Sequence, residues 1–274
     1  MHQLHSHRAG AFSNHWTFFL VIFQALELSG QAADWHGFAR TNFSFEGRGA
    51  FVTRPATNAP GHPWVWRTSF PDFHAEVDIA LLKQGFHVAY VDVLSMLGCD
   101  ASLDIMDRFY AQLTNDFKLA VRPVLEGVSR GGLHAYRYAA RHPERVACIY
   151  CDTPVLCLAS WPLGWPGSKK ETQEAIKFYG LKDEDALFAF KGNPIDLLAP
   201  IAKARIPLRH VIALDDKVVP PEENTLEAQR RLQELGHDMT VITVEHGTKE
   251  SNGHHFPLPA VDESAAWIVK HATP

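Results

Sequence analysis

The chain has 274 residues, 46% of them hydrophobic, so it is long and apolar enough to bury one sizeable core. Its formal net charge of -5, without a long basic run, argues against a nucleic-acid partner, because phosphate binding needs clustered cations. Charged residues at 21% and aromatic residues at 11% are ordinary for a globular protein, which excludes a disordered or fibrous chain.

The N-terminus has the order of segments that is typical of an export signal. An apolar stretch over residues 16–26 follows Arg8, and the small residues Gly30 and Ala32 come after it. This stretch is too short to cross a bilayer as a helix, and a signal peptidase would cut after Ala32. We therefore predict a signal peptide over residues 1–32, an exported protein, periplasmic or secreted, and no integral membrane span. A buried or disordered N-terminal helix is the alternative.

From residue 39 onward, strand-like and helix-like segments alternate, and no linker or repeat divides the chain. Residues 40–53 alternate around Glu46-Gly47-Arg48-Gly49, which predicts a hairpin at the start of the sheet. The elements predicted after the hairpin are a strand at 64–66, a helix at 74–84, a strand at 87–93, a helix at 104–119, a strand at 121–126, a helix at 131–141 and a strand at 146–151.

The alternation weakens between residues 154 and 200, which predicts a small cap inserted at about 155–200, with one helix at 171–178. The elements predicted after the cap are a strand at 208–214, a helix at 222–235, a strand at 239–244 and a helix at 264–271. Because strands and helices follow each other in turn, we predict a single α/β domain over residues 33–274, with a mostly parallel sheet covered by helices on both faces.

The four cysteines do not have the spacing of a metal site or of a disulfide framework. Cys148 and Cys151 fall within one predicted strand, where positions three apart point to opposite faces of the sheet. Cys99 and Cys157 complete the set, and buried thiols are the expectation for all four. The histidine-rich segment before residue 16 belongs to the predicted signal, so we predict neither a metal nor any other cofactor.

The motif that carries chemistry is Gly127-Val128-Ser129-Arg130-Gly131, which has the spacing G-x-S-x-G. In this spacing a strand turns sharply into a helix and lifts the serine hydroxyl above the sheet, and the glycines avoid a clash of the backbone. A predicted strand precedes the motif here and a predicted helix follows it, so Ser129 is the predicted nucleophile.

A serine nucleophile needs a base and an acid, and both are expected later in the chain. Asp216 follows the strand at 208–214, and His254 follows the last strand, which places both at the edge of the sheet where Ser129 lies. Asp215 and His255 are the alternative acid and base. Asp152, directly after another strand, is a further candidate acid, with a structural or substrate-facing role as the preferred interpretation.

Together these segments resemble the α/β-hydrolase superfamily, which implies its fold and a triad of Ser129, Asp216 and His254. A narrower resemblance, to exported bacterial hydrolases associated with polysaccharide breakdown, is carried by Trp66-Arg67, residues 77–82, residues 85–90 and residues 193–196. The pair Ser129-Arg130 also resembles glucuronoyl esterases, in which an arginine after the nucleophile helps to stabilise the oxyanion. The chain lacks the Asn and Lys that accompany the serine turn in that family.

The oxyanion of the tetrahedral intermediate requires preorganised donors. The backbone N–H of Arg130 is one candidate, and the segment after Trp66 is predicted to supply the second through the N–H of Arg67 or Thr68. The side chains of Arg67 and Arg130 could bind an acidic substrate group, or form a plain salt bridge, for example to Glu126. Trp66 and Trp161 are further substrate-binding candidates, and packing within the cap is the alternative for Trp161.

The predicted function is hydrolysis of a carboxylic ester through an acyl-enzyme, with a small-molecule or oligosaccharide ester, such as a uronic-acid ester, as the substrate. A peptidase or amidase that uses the same triad is the first alternative. A non-catalytic binding protein on the hydrolase scaffold is the second, and it would require a broken triad.

Overall fold

A computed structural model describes residues 31–272 of the protein, without the side chain of Gln31, and its centre is a nine-stranded sheet. The predicted signal lies outside the described residues, except for Gln31 and Ala32, which begin the first strand. The strands are β1 (Gln31–Trp35), β2 (Phe38–Phe45), β3 (Arg48–Arg54), β4 (Trp64–Arg67), β5 (His87–Val91), β6 (Val124–Val128), β7 (Cys148–Asp152), β8 (Leu208–Ala213) and β9 (Thr240–Val244).

Eight α-helices complete the fold between residues 31 and 272. They are α1 (Glu76–Lys83), α2 (Asp100–Asn115), α3 (Gly131–Arg141), α4 (Lys169–Phe178), α5 (Glu184–Phe188), α6 (Leu198–Lys203), α7 (Thr225–Glu234) and α8 (Val261–Ala272). None of the helices between residues 31 and 272 has the length and apolarity that a bilayer crossing demands.

The strands lie side by side in the order β1-β2-β3-β5-β4-β6-β7-β8-β9. The first three are antiparallel to their neighbours, whereas all the pairs from β5 to β9 are parallel. The predicted hairpin joins β2 to β3 through Glu46 and Gly47, both with positive φ, as a two-residue turn requires. The strand β1 was not predicted, because its first residues were assigned to the cleavage site of the signal.

Alternate residues of the buried strands face two cores, one on each side of the sheet. In β4, Trp64 and Trp66 face the core that α2 and α3 cover, whereas Val65 faces the core that α1 and α8 cover. The mostly parallel sheet with helices on both faces is therefore confirmed. Cys148 and Cys151 of β7 are divided between the same two cores, as the spacing of the two residues predicts.

Trp66 does not bind substrate, because its ring is enclosed in the first of these cores. It is 1% exposed, its ring centroid lies 5.4 Å from that of Trp64, and Tyr138 packs edge-on against it at 5.0 Å. The sequence-based expectation for Trp66 is thus wrong. A tryptophan in a short buried strand contributes its large apolar area to folding.

The segment between β7 and β8 contains α4, α5 and α6 and lies against the carboxyl ends of the parallel strands. Its apolar side chains form a third, smaller core with Leu97, Leu133 and Val219 of the main domain; the cap contributes Val155, Leu158, Ala175 and Leu187. Helix α6 packs on α3 through Leu198 and Ile201, which belong to the main core. The insertion is therefore packed down beside the end of β6.

Candidate active site

Ser129 lies in a sharp turn between β6 and α3. Strand β6 ends at Val128, two residues later than predicted, so that the strand runs directly into the serine. The φ of Ser129 is 50°, in the left-handed region that a residue with a Cβ adopts only under constraint. The constraint is visible in the backbone, since the Ser129 N–H donates to Asp152 O at 2.8 Å and the Ser129 carbonyl accepts from Val155 N at 2.8 Å.

Close approaches of neighbouring atoms require glycine at the last position of the motif and at the position after it. A Cβ added to Gly131 would lie 2.1 Å from Ser69 Oγ, and one added to Gly132 would lie 2.5 Å from Pro154 Cβ. Ser69 itself is held, because its Oγ donates to Val128 O at 2.7 Å and accepts from Val128 N at 3.1 Å. The turn is therefore fixed by tight packing as well as by hydrogen bonds.

The structure brings together the three residues predicted to form the triad. The Ser129 hydroxyl lies 3.0 Å from His254 Nε2, and His254 Nδ1 lies 2.7 Å from Asp216 Oδ2. The other oxygen of Asp216 accepts from the backbone N–H groups of Val218 and Val219 at 2.8 and 2.9 Å. Asp216 and His254 are buried, so these hydrogen bonds are shielded from competing water.

The structure also distinguishes Asp216 and His254 from the alternative acid and base, Asp215 and His255. Asp215 accepts from Gly247 N at 2.7 Å and from His246, and the Gly247 N–H is the main cause that lowers the pKa of Asp215. Asp215 therefore fastens the loop after β9 instead of orienting the imidazole of His254. His255 is exposed and its ring lies 4.9 Å from that of Phe73, so His254 alone of the two bonds to Ser129.

Arg67 and Thr68 do not take the positions expected of them. The Thr68 N–H already donates to Glu126 O at 2.9 Å, and the Thr68 hydroxyl lies within hydrogen-bonding distance of the carbonyls of Glu126 and Gly131. The Arg67 side chain is completely buried and pairs with Asp78 at 2.5 Å and Glu126 at 3.0 Å. Both residues thus belong to the frame of the site, because their donors are used within the fold.

The available backbone donors beside Ser129 are those of Arg130 and Phe70. Within residues 31–272 neither N–H has an acceptor, and both residues line the cavity into which the Ser129 hydroxyl points. Phe70 has a φ of 39°, in the same strained region as Ser129. The donors predicted from the sequence, Arg67 and Thr68, lie three and two residues before Phe70. Only the path of the loop after β4 shows which N–H is left unpaired.

The cavity at Ser129 has a volume of about 410 Å³ and a mixed lining. The residues that line it are Phe70, Phe73, Val128, Ser129, Arg130, Trp161, Ser168, Glu171, Val218, His254 and His255. Trp161, one of the two tryptophans predicted to bind substrate, lines this cavity. Trp165 is 70% exposed and does not line the cavity.

Arg130 crosses this cavity between aromatic walls. Its guanidinium carbon lies 5.3 Å from the ring centre of Phe70 and 5.8 Å from that of Trp161. The carboxylate that faces it is Glu171 of α4, at 3.7 Å, instead of Glu126. Glu171 also accepts from the Ser168 hydroxyl, and this hydrogen bond, together with the charge of Arg130, lowers the pKa of Glu171. Glu171 was not predicted, because it lies in the irregular cap.

Asp152 forms a second imidazole–carboxylate pair, with His74, next to the turn that carries Ser129. Its Oδ2 accepts from Nδ1 of His74, a residue in the loop after β4 that the sequence did not single out. Both side chains are mostly buried. In the described part of the chain, no group of three or more His, Cys, Asp or Glu side chains has the arrangement of a metal site.

The comparisons with known proteins give the fold. Neither a protein-family model nor a curated protein matches the sequence. Among solved structures, the chain is similar to carboxyl esterase 2 of the mycorrhizal fungus Tuber melanosporum, with a TM-score of 0.59, 15% identity and 84% of each chain covered. It is also similar to a sugar hydrolase from Lactococcus lactis, with a TM-score of 0.58, 18% identity, and 84% of this chain and 97% of that one covered.

A third similar structure is a puromycin-hydrolyzing peptidase from Mycobacterium tuberculosis, with a TM-score of 0.62 and 15% identity. The match covers 82% of this chain and 38% of the peptidase, so the chain spans well under half of that protein's length. These similar structures are an esterase, a sugar hydrolase and a peptidase, and likeness at 15% to 18% identity shows the fold alone. The protein has the α/β-hydrolase fold.

Proposed function

We propose that the protein is a serine hydrolase that cleaves a carboxylic ester through an acyl-enzyme. The observation that carries this proposal is the continuous chain of hydrogen bonds from Ser129 Oγ through His254 to Asp216. His254 Nε2 accepts the hydroxyl proton as Ser129 Oγ attacks the ester carbonyl, and Asp216 stabilises the imidazolium that forms. His254 then donates this proton to the leaving alkoxide, which leaves the acyl group on Ser129.

Water completes the reaction. His254 takes a proton from a water molecule, the hydroxide attacks the acyl carbonyl, and Ser129 leaves with the proton returned to it. In both steps the carbonyl oxygen becomes an oxyanion, and the N–H groups of Arg130 and Phe70 are the donors that we assign to it. The intact triad also argues against the non-catalytic binding protein, because binding alone does not require an activated hydroxyl.

The cavity supports a proposal for the substrate class. Aromatic walls from Phe70, Phe73 and Trp161 suit the face of a sugar ring or of an acyl group, and the guanidinium of Arg130 provides donors for a carboxylate. These features support a carbohydrate ester that carries an acidic group, such as an ester of a uronic acid. Hydrolysis of an amide is the second candidate, because the same triad serves peptidases and one of the similar structures is a peptidase.

The decisive experiment is turnover of a short p-nitrophenyl ester by the wild-type protein and by Ser129→Ala. We expect the variant to lose hydrolysis while remaining folded, and retained turnover would remove Ser129 from the mechanism. An alkyl fluorophosphonate should label Ser129, whereas a folded protein that is not labelled would favour the binding module. A panel of acetylated, feruloylated and methyl-uronate sugars, run beside aminoacyl p-nitroanilides, then separates ester from amide hydrolysis.

Export is a further part of the proposal. It is supported by the apolar stretch at residues 16–26 and by the small residues that follow it. Expression of the full chain in a bacterium, followed by N-terminal sequencing of the protein outside the cytoplasm, tests it. A mature N-terminus at Ala33 is the expected result, and a full-length cytoplasmic protein would refute it.

A further inference from the structure

A single buried guanidinium, that of Arg67, holds the loop that carries the Phe70 N–H. Arg67 ends β4, and its Nε donates to Ser69 O at 3.2 Å. Its Nη2 donates to Phe70 O at 2.9 Å and also to Phe73 O. Its Nη1 lies 3.5 Å from His74 O and pairs with two buried carboxyl groups. One side chain therefore contacts four of the six carbonyl groups of the loop over residues 69–74.

This loop is held in a conformation that it would not adopt alone. Phe70 and His74 have φ values of 39° and 50°, in the left-handed region that is strained for a residue with a Cβ. At its far end, His74 Nδ1 donates to Asp152, whose carbonyl in turn accepts the N–H of Ser129. The loop is thus tied to the nucleophile turn at one end and to Arg67 along its length.

Two carboxyl groups pair with the one guanidinium of Arg67. Asp78 and Glu126 both face the guanidinium and are fully buried. Burial and the neighbouring Asp78 raise the pKa of Glu126 well above its usual value. Glu126 Oε2 and Asp78 Oδ1 are buried without a hydrogen-bond partner, and a proton carried by Glu126 and donated to Asp78 would satisfy both oxygens.

We propose that Arg67 is a positioning residue for the reaction: with the His74–Asp152 pair, it holds the loop over residues 69–74 so that the Phe70 N–H points at the oxyanion. This inference rests on the proposed function. Glu126 is the neutral member of the network and Asp78 is the counter-ion of Arg67. A guanidinium suits this role because its donors spread over a plane, whereas an ammonium group concentrates them at one nitrogen.

The test compares Arg67→Lys with Glu126→Gln, using p-nitrophenyl acetate as substrate and phenylboronic acid as inhibitor. Lysine keeps the charge opposite Asp78 but cannot reach the carbonyls of the loop together. We expect kcat to fall about 10- to 100-fold with KM changed less than about threefold, since the loss concerns a donor to the transition state. Affinity for the boronic acid, whose tetrahedral adduct places an oxygen in the oxyanion site, should fall in parallel.

Glu126→Gln is the matched control within the same network. Its amide N–H replaces the carboxyl proton toward Asp78 and its oxygen still accepts from Arg67, so kcat should stay within about threefold of wild type. A loss as large as that of Arg67→Lys would show that Glu126 is ionised and would overturn the assignment. A folded Arg67→Lys with wild-type kcat, or one whose loss appears in KM alone, would overturn the role of Arg67.

His74 keeps the inference testable if Arg67→Lys does not fold, because its side chain is at the edge of the network and 12% exposed. His74→Ala should lower kcat at constant KM, and His74→Asn should restore it, since the asparagine amide can replace Nδ1–H. Wild-type kcat in both variants would overturn the anchoring. The proposed function is judged separately, by wild-type turnover against Ser129→Ala, so an active wild type with an equally active Arg67→Lys refutes the anchor alone.

Discussion

Replacing Asp216 with asparagine should inactivate the site without disturbing the fold. In the protein, Asp216 Oδ1 accepts two backbone N–H groups, from Val218 and Val219, while Oδ2 faces His254 Nδ1 at 2.7 Å. An asparagine must keep its carbonyl oxygen under the two backbone donors, so its NH₂ group is forced toward Nδ1. The imidazole then carries its proton on Nε2 and cannot accept the proton of Ser129.

The expected loss follows from this change of tautomer. Serine hydrolases that lose the correct tautomer lose about 10⁴-fold in kcat, which corresponds to about 5.5 kcal/mol of transition-state stabilisation. The measurement is kcat for p-nitrophenyl acetate at pH 7 to 8, with the melting temperature as a check of folding. Asp215→Asn is the matched control: its carbonyl still accepts from Gly247 N, so kcat should change less than about threefold. An Asp216→Asn variant within tenfold of wild type would refute the assigned acid, as would an equal loss in Asp215→Asn.

Three further outcomes are expected. Gly131→Ala should destabilise the fold by about 1–3 kcal/mol, because its Cβ would lie 2.1 Å from Ser69 Oγ, which hydrogen bonds hold in place. Gly49→Ala is the control, because the space around its Cβ is open, and it should keep the wild-type melting temperature. Equal melting temperatures for the two variants would contradict the packing argument. Arg130→Gln should reduce kcat/KM for p-nitrophenyl succinate about tenfold more than for p-nitrophenyl butyrate, and an equal loss on both esters would remove Arg130 from recognition of acidic groups. Burial lowers the pKa of His210 to about 3, so the unfolded state binds more protons below about pH 6.5, and the free energy of unfolding should fall as the pH drops from 6.5 toward 3. His210→Gln should reduce that slope between pH 6 and 5 by about 1 kcal/mol per pH unit in urea titrations, and an unchanged slope would show that His210 is protonated in the folded protein.

The order of strands and helices from β2 onward, apart from α5 and α6 of the cap, could be predicted from local pattern, as could the parallel sheet and the turn at Ser129. A buried parallel strand needs a continuous apolar run, and a sharp turn into a helix needs glycines, so both leave a signal in neighbouring residues. The places of Asp216 and His254 followed from the same reasoning, because carboxyl ends of parallel strands meet at one edge of the sheet. In the structure both side chains reach Ser129.

What local pattern could not show is which polar groups remain unpaired after folding. Arg67 and Arg130 have the same side chain, yet one is completely buried among Asp78 and Glu126 and the other crosses the cavity. Likewise Thr68 and Phe70 lie two residues apart, and only the first has its N–H occupied by a strand carbonyl. Such differences depend on partners 50 or more positions away in the chain, as the separations of 59 residues between Arg67 and Glu126 and 78 between His74 and Asp152 show. Tertiary packing alone decides them, because a donor is free for catalysis only when the fold has given it no other acceptor.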